Sequence, residues 1–145
     1  MKVTIDKSEL YSDPEIIVKC KDIDDVIQDI ISYIGIADKN MIGDLDGELF
    51  FIPLNSILYF DSVDKIVYIY TDKQVYRSSA KLYLLEEQLV DTYFARISKT
   101  TILNLKKLNS VRKVRNAKLE GTLINNEKTL ISRQYVAEIK KRLGV

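Results

Sequence analysis

The sequence predicts a mainly β fold with short helices, an α+β arrangement, and three observations predict it. Short apolar runs, many alternating with polar residues, recur from residue 49 to 131 between turn pairs such as Asp46-Gly47 and Asn125-Asn126. Only three stretches repeat at helical spacing instead. The composition, 46% hydrophobic and 30% charged, is that of a folded globular chain rather than a disordered one. At 145 residues there is room for one domain, or one domain with a modest extension.

Each element follows from its own pattern. Val3 and Ile5 alternate with Thr4 and Asp6 as a half-buried strand does, and Ile16-Ile17-Val18 reads as a second strand. Ile23, Val26, Ile27, Ile30, Ile31 and Ile34 then fall on one face of a helix, with Asp22 as N-cap and Gly35 as left-handed C-cap. Asp24, Asp25 and Asp29 lie opposite, where acids near a helix start stabilise its dipole rather than mark a catalytic cluster. Strands follow at 49–53, 57–60, 66–71 and 75–78, with turns at 61–65 and 72–73. Leu82, Leu85 and Leu89 form the buried stripe of a second helix. Strand patterns resume at 102–103, 111–114 and 118–124, and Asn125-Asn126 closes a hairpin with 129–131, since asparagine tolerates a positive φ. A last helix, capped by Ser132, buries Val136, Ile139 and Leu143.

The net charge of +1 conceals a division. Residues 1–50 carry five bases and twelve acids, net −7, whereas the rest carries 17 bases and nine acids, net +8. Thirteen of those bases lie between Arg96 and Arg142 against only Glu120, Glu127 and Glu138. The change of sign divides the chain into an acidic α/β extension over 1–48, for packing or dimerisation, and a basic β-rich domain over 49–145. A basic half points to a polyanion, because each phosphate neutralised releases condensed counterions. A solvated charged surface is the plain alternative.

Much chemistry is excluded. With no histidine there is no Ser-His or Cys-His pair and no imidazole metal site. The five glycines form neither a phosphate loop nor a dinucleotide fingerprint. Asp44, Asp46 and Gly47 lack the later ligands of a calcium loop and read as a turn. Cys20 is the only cysteine, which removes internal disulfides and suits a reducing compartment; within an apolar run it reads as a small buried residue. No apolar stretch nears the roughly 20 residues that cross a bilayer, and the start carries no signal-peptide core, so a cytoplasmic location is expected. The reading is therefore not an enzyme, with no cofactor, no metal and no small-molecule substrate. Tyr59, Tyr68, Tyr70, Tyr76 and Tyr135 sit inside apolar patterns and read as core rather than as a stacking platform for single strands.

From Phe51 onward four pieces occur together: ILYFDSVDKIVYIYT at 57–71, KLYLLEEQL at 81–89, FARISKTTILNLKKL at 94–108 and KTLISRQYVAEIKKRL at 128–143. In their order and spacing they resemble the LytTR DNA-binding domain of bacterial response regulators. The resemblance implies an elongated, multi-sheet β fold of about ten strands that binds double-stranded DNA through loops entering successive major grooves, commonly at direct repeats. The chain then reads as a transcriptional regulator; the alternative is a protein-interaction or RNA-binding β module that keeps the fold and not the operator specificity. Carried over position by position, Ser98, Lys99 and Thr100, with Arg96 before them, match the loop that enters one groove. Arg133, followed by Gln134, matches a second base-contacting position. Lys65 is the loosest match, and Arg77 a phosphate contact. A receiver domain needs more than a hundred residues and does not fit before residue 50, so the arrangement is similar to stand-alone LytTR proteins of Gram-positive bacteria. The expected partners are DNA, a second copy of the chain as a homodimer or on repeated sites, and a regulatory membrane protein.

Overall fold

The computed structural model describes all 145 residues and contains ten strands and three α-helices. Helix α1 (Asp25–Ala37) leads into the hairpin of β1 (Asn40–Leu45) and β2 (Glu48–Pro53). Strands β3 (Ile57–Val63), β4 (Ile66–Thr71) and β5 (Val75–Ser78) follow, then α2 (Leu82–Gln88), β6 (Phe94–Arg96) and β7 (Thr101–Asn104). The chain closes with β8 (Leu108–Val114), β9 (Lys118–Leu123), β10 (Lys128–Ile131) and α3 (Val136–Leu143). The first seven strands form one antiparallel sheet in the order β2-β1-β5-β4-β3-β7-β6, and the last three form a second, β10-β9-β8. No helix is long and apolar enough to cross a membrane.

Two cores flank the large sheet. One face carries Met41, Ile52, Phe60, Val67, Ile69, Phe94 and Ile102, covered by Leu82, Leu85 and Leu89 of α2. The other carries Leu58, Ala95 and Leu103, which meet Leu119, Leu123 and Ile131 of the small sheet and Ile139 of α3. Alternation along β3 would not send both Leu58 and Tyr59 to the second core, since neighbours on a strand point apart. A β-bulge between Ile57 and Tyr59 breaks the register there and lets them share a side. Asn104, buried at the end of β7, donates to the Ile57 carbonyl at 2.9 Å and accepts from the Lys106 amide at 3.1 Å, so the polar residue costs the core no unmet hydrogen bond on its side chain.

The acidic extension departs most from expectation. No strand forms before residue 40, Val3, Ile5, Ile16, Ile17 and Val18 are exposed, and so is Cys20, which was expected to be buried. An alternating pattern specifies a strand only where an edge is offered to it, and no edge within this chain takes these residues up. Asp24 rather than Asp22 caps α1, its Oδ1 accepting from the Ile27 amide at 2.9 Å. Gly35 does not end the helix. It lies inside, where a Cβ would stand 3.0 Å from the Asn40 carbonyl oxygen, and the left-handed residue is Lys39. Of the predicted apolar stripe of α1, Ile27, Ile30, Ile31 and Ile34 are half-buried, whereas Ile23 and Val26 are exposed.

Elsewhere the departures are smaller. Strand β1 joins the large sheet beside β5 as well as β2, and β6 pairs with β7; neither strand was foreseen. The turn expected over 61–65 shrinks to Asp64-Lys65, both at positive φ, a two-residue connection whose twist suits a hairpin. Ser132 makes no side-chain cap; a 3-10 turn at Arg133–Tyr135 precedes α3 instead, and Gly144 closes that helix at φ 77.

Candidate nucleic-acid interface

The β6–β7 loop is built around Arg96. Its Nε donates to the Ser98 carbonyl at 2.7 Å and its Nη2 to the Lys99 carbonyl at 2.5 Å, while Nη1 meets Glu86 Oε2 of α2 at 2.8 Å. The guanidinium thus holds the loop backbone with its planar fork, and the side chain is mostly covered. Ile97, fully buried, pins the loop from below, and Ser98 Oγ accepts from the Thr100 amide at 3.2 Å. Lys99 and Thr100 are left exposed at the tip, with Ser98 half-buried.

Backbone hydrogen bonds draw two distant segments to this loop. The Ser62 amide donates to the Thr100 carbonyl at 2.8 Å, and Thr101 Oγ1 donates to Asp61 at 3.1 Å. That places the β3–β4 turn alongside, with Lys65 exposed at its tip three residues beyond Ser62, within roughly 10 Å at strand spacing. On the other side the Ser132 amide donates to the Ile97 carbonyl at 2.8 Å. It sets the 3-10 turn bearing exposed Arg133 and Gln134 next to the loop. Lys65, Ser98, Lys99, Thr100, Arg133 and Gln134 therefore share one edge although 69 positions separate the first from the last.

Arg77 stands apart. It is exposed on β5, in a cross-strand row with Asp44, Tyr68, Asp61 and Thr101, three strands from the loop, or about 14 Å. Two residues outside the sequence-based set belong to the edge: Asn116 and Lys118 line a cleft of about 400 Å³ together with Ser132, Arg133 and Gln134. Asn116 sits at φ 63 in the turn between β8 and β9. An asparagine before a strand start was the available signal, and Lys118 was hidden by its place in a strand pattern.

The charges on this edge are uncommitted. Lys65, Lys99, Lys118 and Arg133 have no carboxylate within ion-pair distance, whereas Arg112 and Lys128 are drawn to Glu120 at 2.8 and 3.9 Å. Lys106 lies over the Tyr93 ring, 3.7 Å from its centroid. Free cations at turn tips keep their reach for phosphates and base edges.

The tyrosines expected in the core are half-buried. Tyr59 and Tyr70 stack with centroids 4.5 Å apart. Burial, followed by the approach of the Glu127 carboxylate, holds the Tyr59 phenol well above its usual range. A phenol whose folded pKa exceeds the unfolded value near 10 adds stability that is complete below pH about 10 and is lost as pH rises beyond it. Alkaline denaturation is accordingly expected to begin above pH about 10 and to be shallower in Tyr59→Phe; thermal melts from pH 8 to 11 check this, and identical slopes would refute it.

The sequence profile of the LytTr DNA-binding domain matches residues 47–144. An "Uncharacterized HTH-type transcriptional regulator" of Staphylococcus aureus strain NCTC 8325 is 28% identical over 145 residues, covering 99% of this chain and 95% of its own. One from strain MSSA476 is 31% identical over 123 residues, 83% of each chain. Among solved structures, the LytTr DNA-binding domain of a methyl-accepting/DNA response regulator from Bacillus cereus superimposes with a TM-score of 0.69 at 18% identity, covering 74% of this chain and 98% of that one.

Proposed function

The chain belongs to the LytTr DNA-binding domain family, and from that premise we propose that it is a transcriptional regulator reading double-stranded DNA by sequence through the edge that carries Lys99 and Arg133. The observation that carries the reading is the convergence of three loops, from β3–β4, β6–β7 and the start of α3, on one edge whose cations are unpaired. Arg133 supplies a fork that suits guanine O6 and N7, and Lys99 a point charge for guanine or phosphate. Ser98, Thr100 and Gln134 add neutral donors and acceptors beside them. Lys65 and Lys118 flank the pair as phosphate contacts, and Arg77, three strands away, serves a phosphate further along the duplex. Arg96 takes a different part: its donors are engaged with loop carbonyls and Glu86, so it sets the position of Lys99 instead of touching DNA.

Loops that enter successive grooves favour sites repeated along the helix, bound by two copies of the chain. No two α-helices of the chain are consecutive, so a recognition helix packed on a partner α-helix has no place in this reading.

Binding to the gene's own promoter duplex, a shuffled duplex and a structured RNA, followed by fluorescence anisotropy between 50 and 200 mM salt, tests it. The promoter duplex is expected to win, with log affinity falling by about 0.9 per phosphate contact for each unit of log salt. Equal binding to all three, or an affinity indifferent to salt, overturns the reading.

A further inference from the structure

Beyond Arg133 the cationic edge continues to a fourth turn, Arg115–Ala117, which joins β8 to β9. Val114 pairs with Lys118 at its base and Leu119 with Ile131, so the turn lies beside the residues that leave β10 and faces Arg133 and Gln134 across the cleft of about 400 Å³. No apolar side chain lines that cleft; Asn116, Lys118, Ser132, Arg133 and Gln134 do. Arg115, Asn116 and Ala117 are all exposed, and so are Asn109 to Lys113, which leaves β8 wet on both faces and its hairpin with β9 projecting past the second core. From Leu108 to Leu123 that hairpin carries four bases and one acid. The acid, Glu120, is engaged with Arg112 and Lys128, and Lys113, Arg115 and Lys118 have no carboxylate within ion-pair distance. The tip is narrow as well as basic: Asn116 and Ala117 follow each other at φ 63 and 58, and Ala117 adds only a methyl group.

We propose that the cleft straddles one sugar-phosphate strand of a DNA duplex, with Arg133 in the major groove on one side and the β8–β9 turn in the minor groove on the other. The inference rests on the DNA reading above and adds to it a second surface of the same duplex. A lining of two cations and three neutral hydrogen-bonding side chains fits a phosphodiester, which is anionic and only accepts, and offers nothing to an apolar ligand. In a duplex each such strand is bordered by one groove of either kind, so a side chain across the cleft from one in the major groove arrives in the minor groove. Width then decides which part of the hairpin enters. The minor groove is about 6 Å across, half the width of the major groove, and admits single side chains at a tip but no two-stranded ribbon. Asn116 and Arg115 bring donors to a floor whose A·T pairs present only the acceptors N3 and O2, and the negative potential of a narrow A·T stretch draws arginine. The turn therefore selects A·T pairs next to the base that Arg133 meets, where the 2-amino group of guanine would stand in the way.

Diaminopurine in place of adenine tests this, because it adds an amino group in the minor groove and leaves the major-groove pattern of the pair unchanged. Placed at each adenine of the gene's own promoter duplex in turn, it is expected to weaken binding of the full chain several-fold beside the Arg133 contact. That contact is located as the guanine whose replacement by 7-deazaguanine weakens the wild type and not Arg133→Ala. The variant Arg115→Ala with Asn116→Gly is expected to bind the unmodified duplex roughly tenfold more weakly and to be indifferent to diaminopurine at those positions. Both residues are exposed and glycine takes a φ of 63 freely, so the melting temperature should not move. Binding by this variant equal to wild type overturns the inference, as does a diaminopurine effect of the same size in both. Wild-type binding indifferent to diaminopurine at every adenine overturns it too, since the turn would then meet phosphates alone. These results leave the DNA reading standing so long as Lys99→Ala and Arg133→Ala lose affinity. A wild-type chain with no preference for the promoter duplex overturns both.

Discussion

Phe60→Ala is expected to cost about 3–5 kcal/mol of folding stability. The ring is fully buried between the large sheet and α2, with its centroid 5.5 Å from that of Phe94, and lies in the row where β4, β3 and β7 pair through Ile69, Phe60 and Ile102. Truncation there opens a cavity bounded by strands that cannot close in without breaking ladder hydrogen bonds, so relaxation recovers little of the loss. Against a total stability of about 5–15 kcal/mol, the change consumes a large share. At roughly 2–4 °C per kcal/mol for a chain of this size, the melting temperature should fall by about 6–20 °C in scanning calorimetry. Because the side chain faces away from the cationic edge, the fraction that stays folded in the cold should bind its duplex with an unchanged salt slope. A fall of only a few degrees would mean that the core is not packed as described.

Lys99→Ala and Arg133→Ala are each expected to weaken binding to the preferred duplex by about 1–3 kcal/mol, and binding to random duplex by less. The difference between the two duplexes is the informative quantity, since a side chain that reads a base edge is lost only where that base is present, whereas a phosphate contact is lost everywhere. Neither side chain takes part in an ion pair within the chain, so the thermal melt should be unmoved. The two positions lie in different loops, and if each meets its own part of the duplex the double variant should come close to the sum of the singles. Equal losses on both duplexes would reassign these residues to the backbone of the DNA.

The β-rich architecture was legible because most of its strands carry their own pattern: β3, β4 and β5 are bounded by turn residues, and the hairpin at Asn125-Asn126 announces itself by a side chain that tolerates positive φ. Strand β6 was not legible. At three residues it is too short to show a period, and it exists because β7 offers it an edge. The first twenty-four residues misled for the opposite reason, since their alternation is genuine but nothing in one copy of the chain pairs with it. The stripe of α1 was visible and the depth of its burial was not: the contacts of Gln28, Ser32 and Gly35 set how the helix sits, leaving Ile27, Ile30, Ile31 and Ile34 half-buried and Val26 exposed. On the cationic edge, residue types and family resemblance marked Lys99 and Arg133, while the place of Lys118 in the cleft and the carbonyl-holding role of Arg96 depend on contacts that the order of residues does not contain.

The pairing of β3 with β7 joins Asp61 to Thr101, forty positions further along the chain, and the Ser132 amide then reaches back to the Ile97 carbonyl. Closures of that length come late, because the chain must give up its freedom over the whole span before any bond repays it. A chain clipped before residue 132 would keep the Lys65 and Lys99 turns together through β3 and β7 and would lack the turn that bears Arg133. The full cationic edge is therefore the last part of the fold to be assembled, since its third turn docks only through the Ser132 amide.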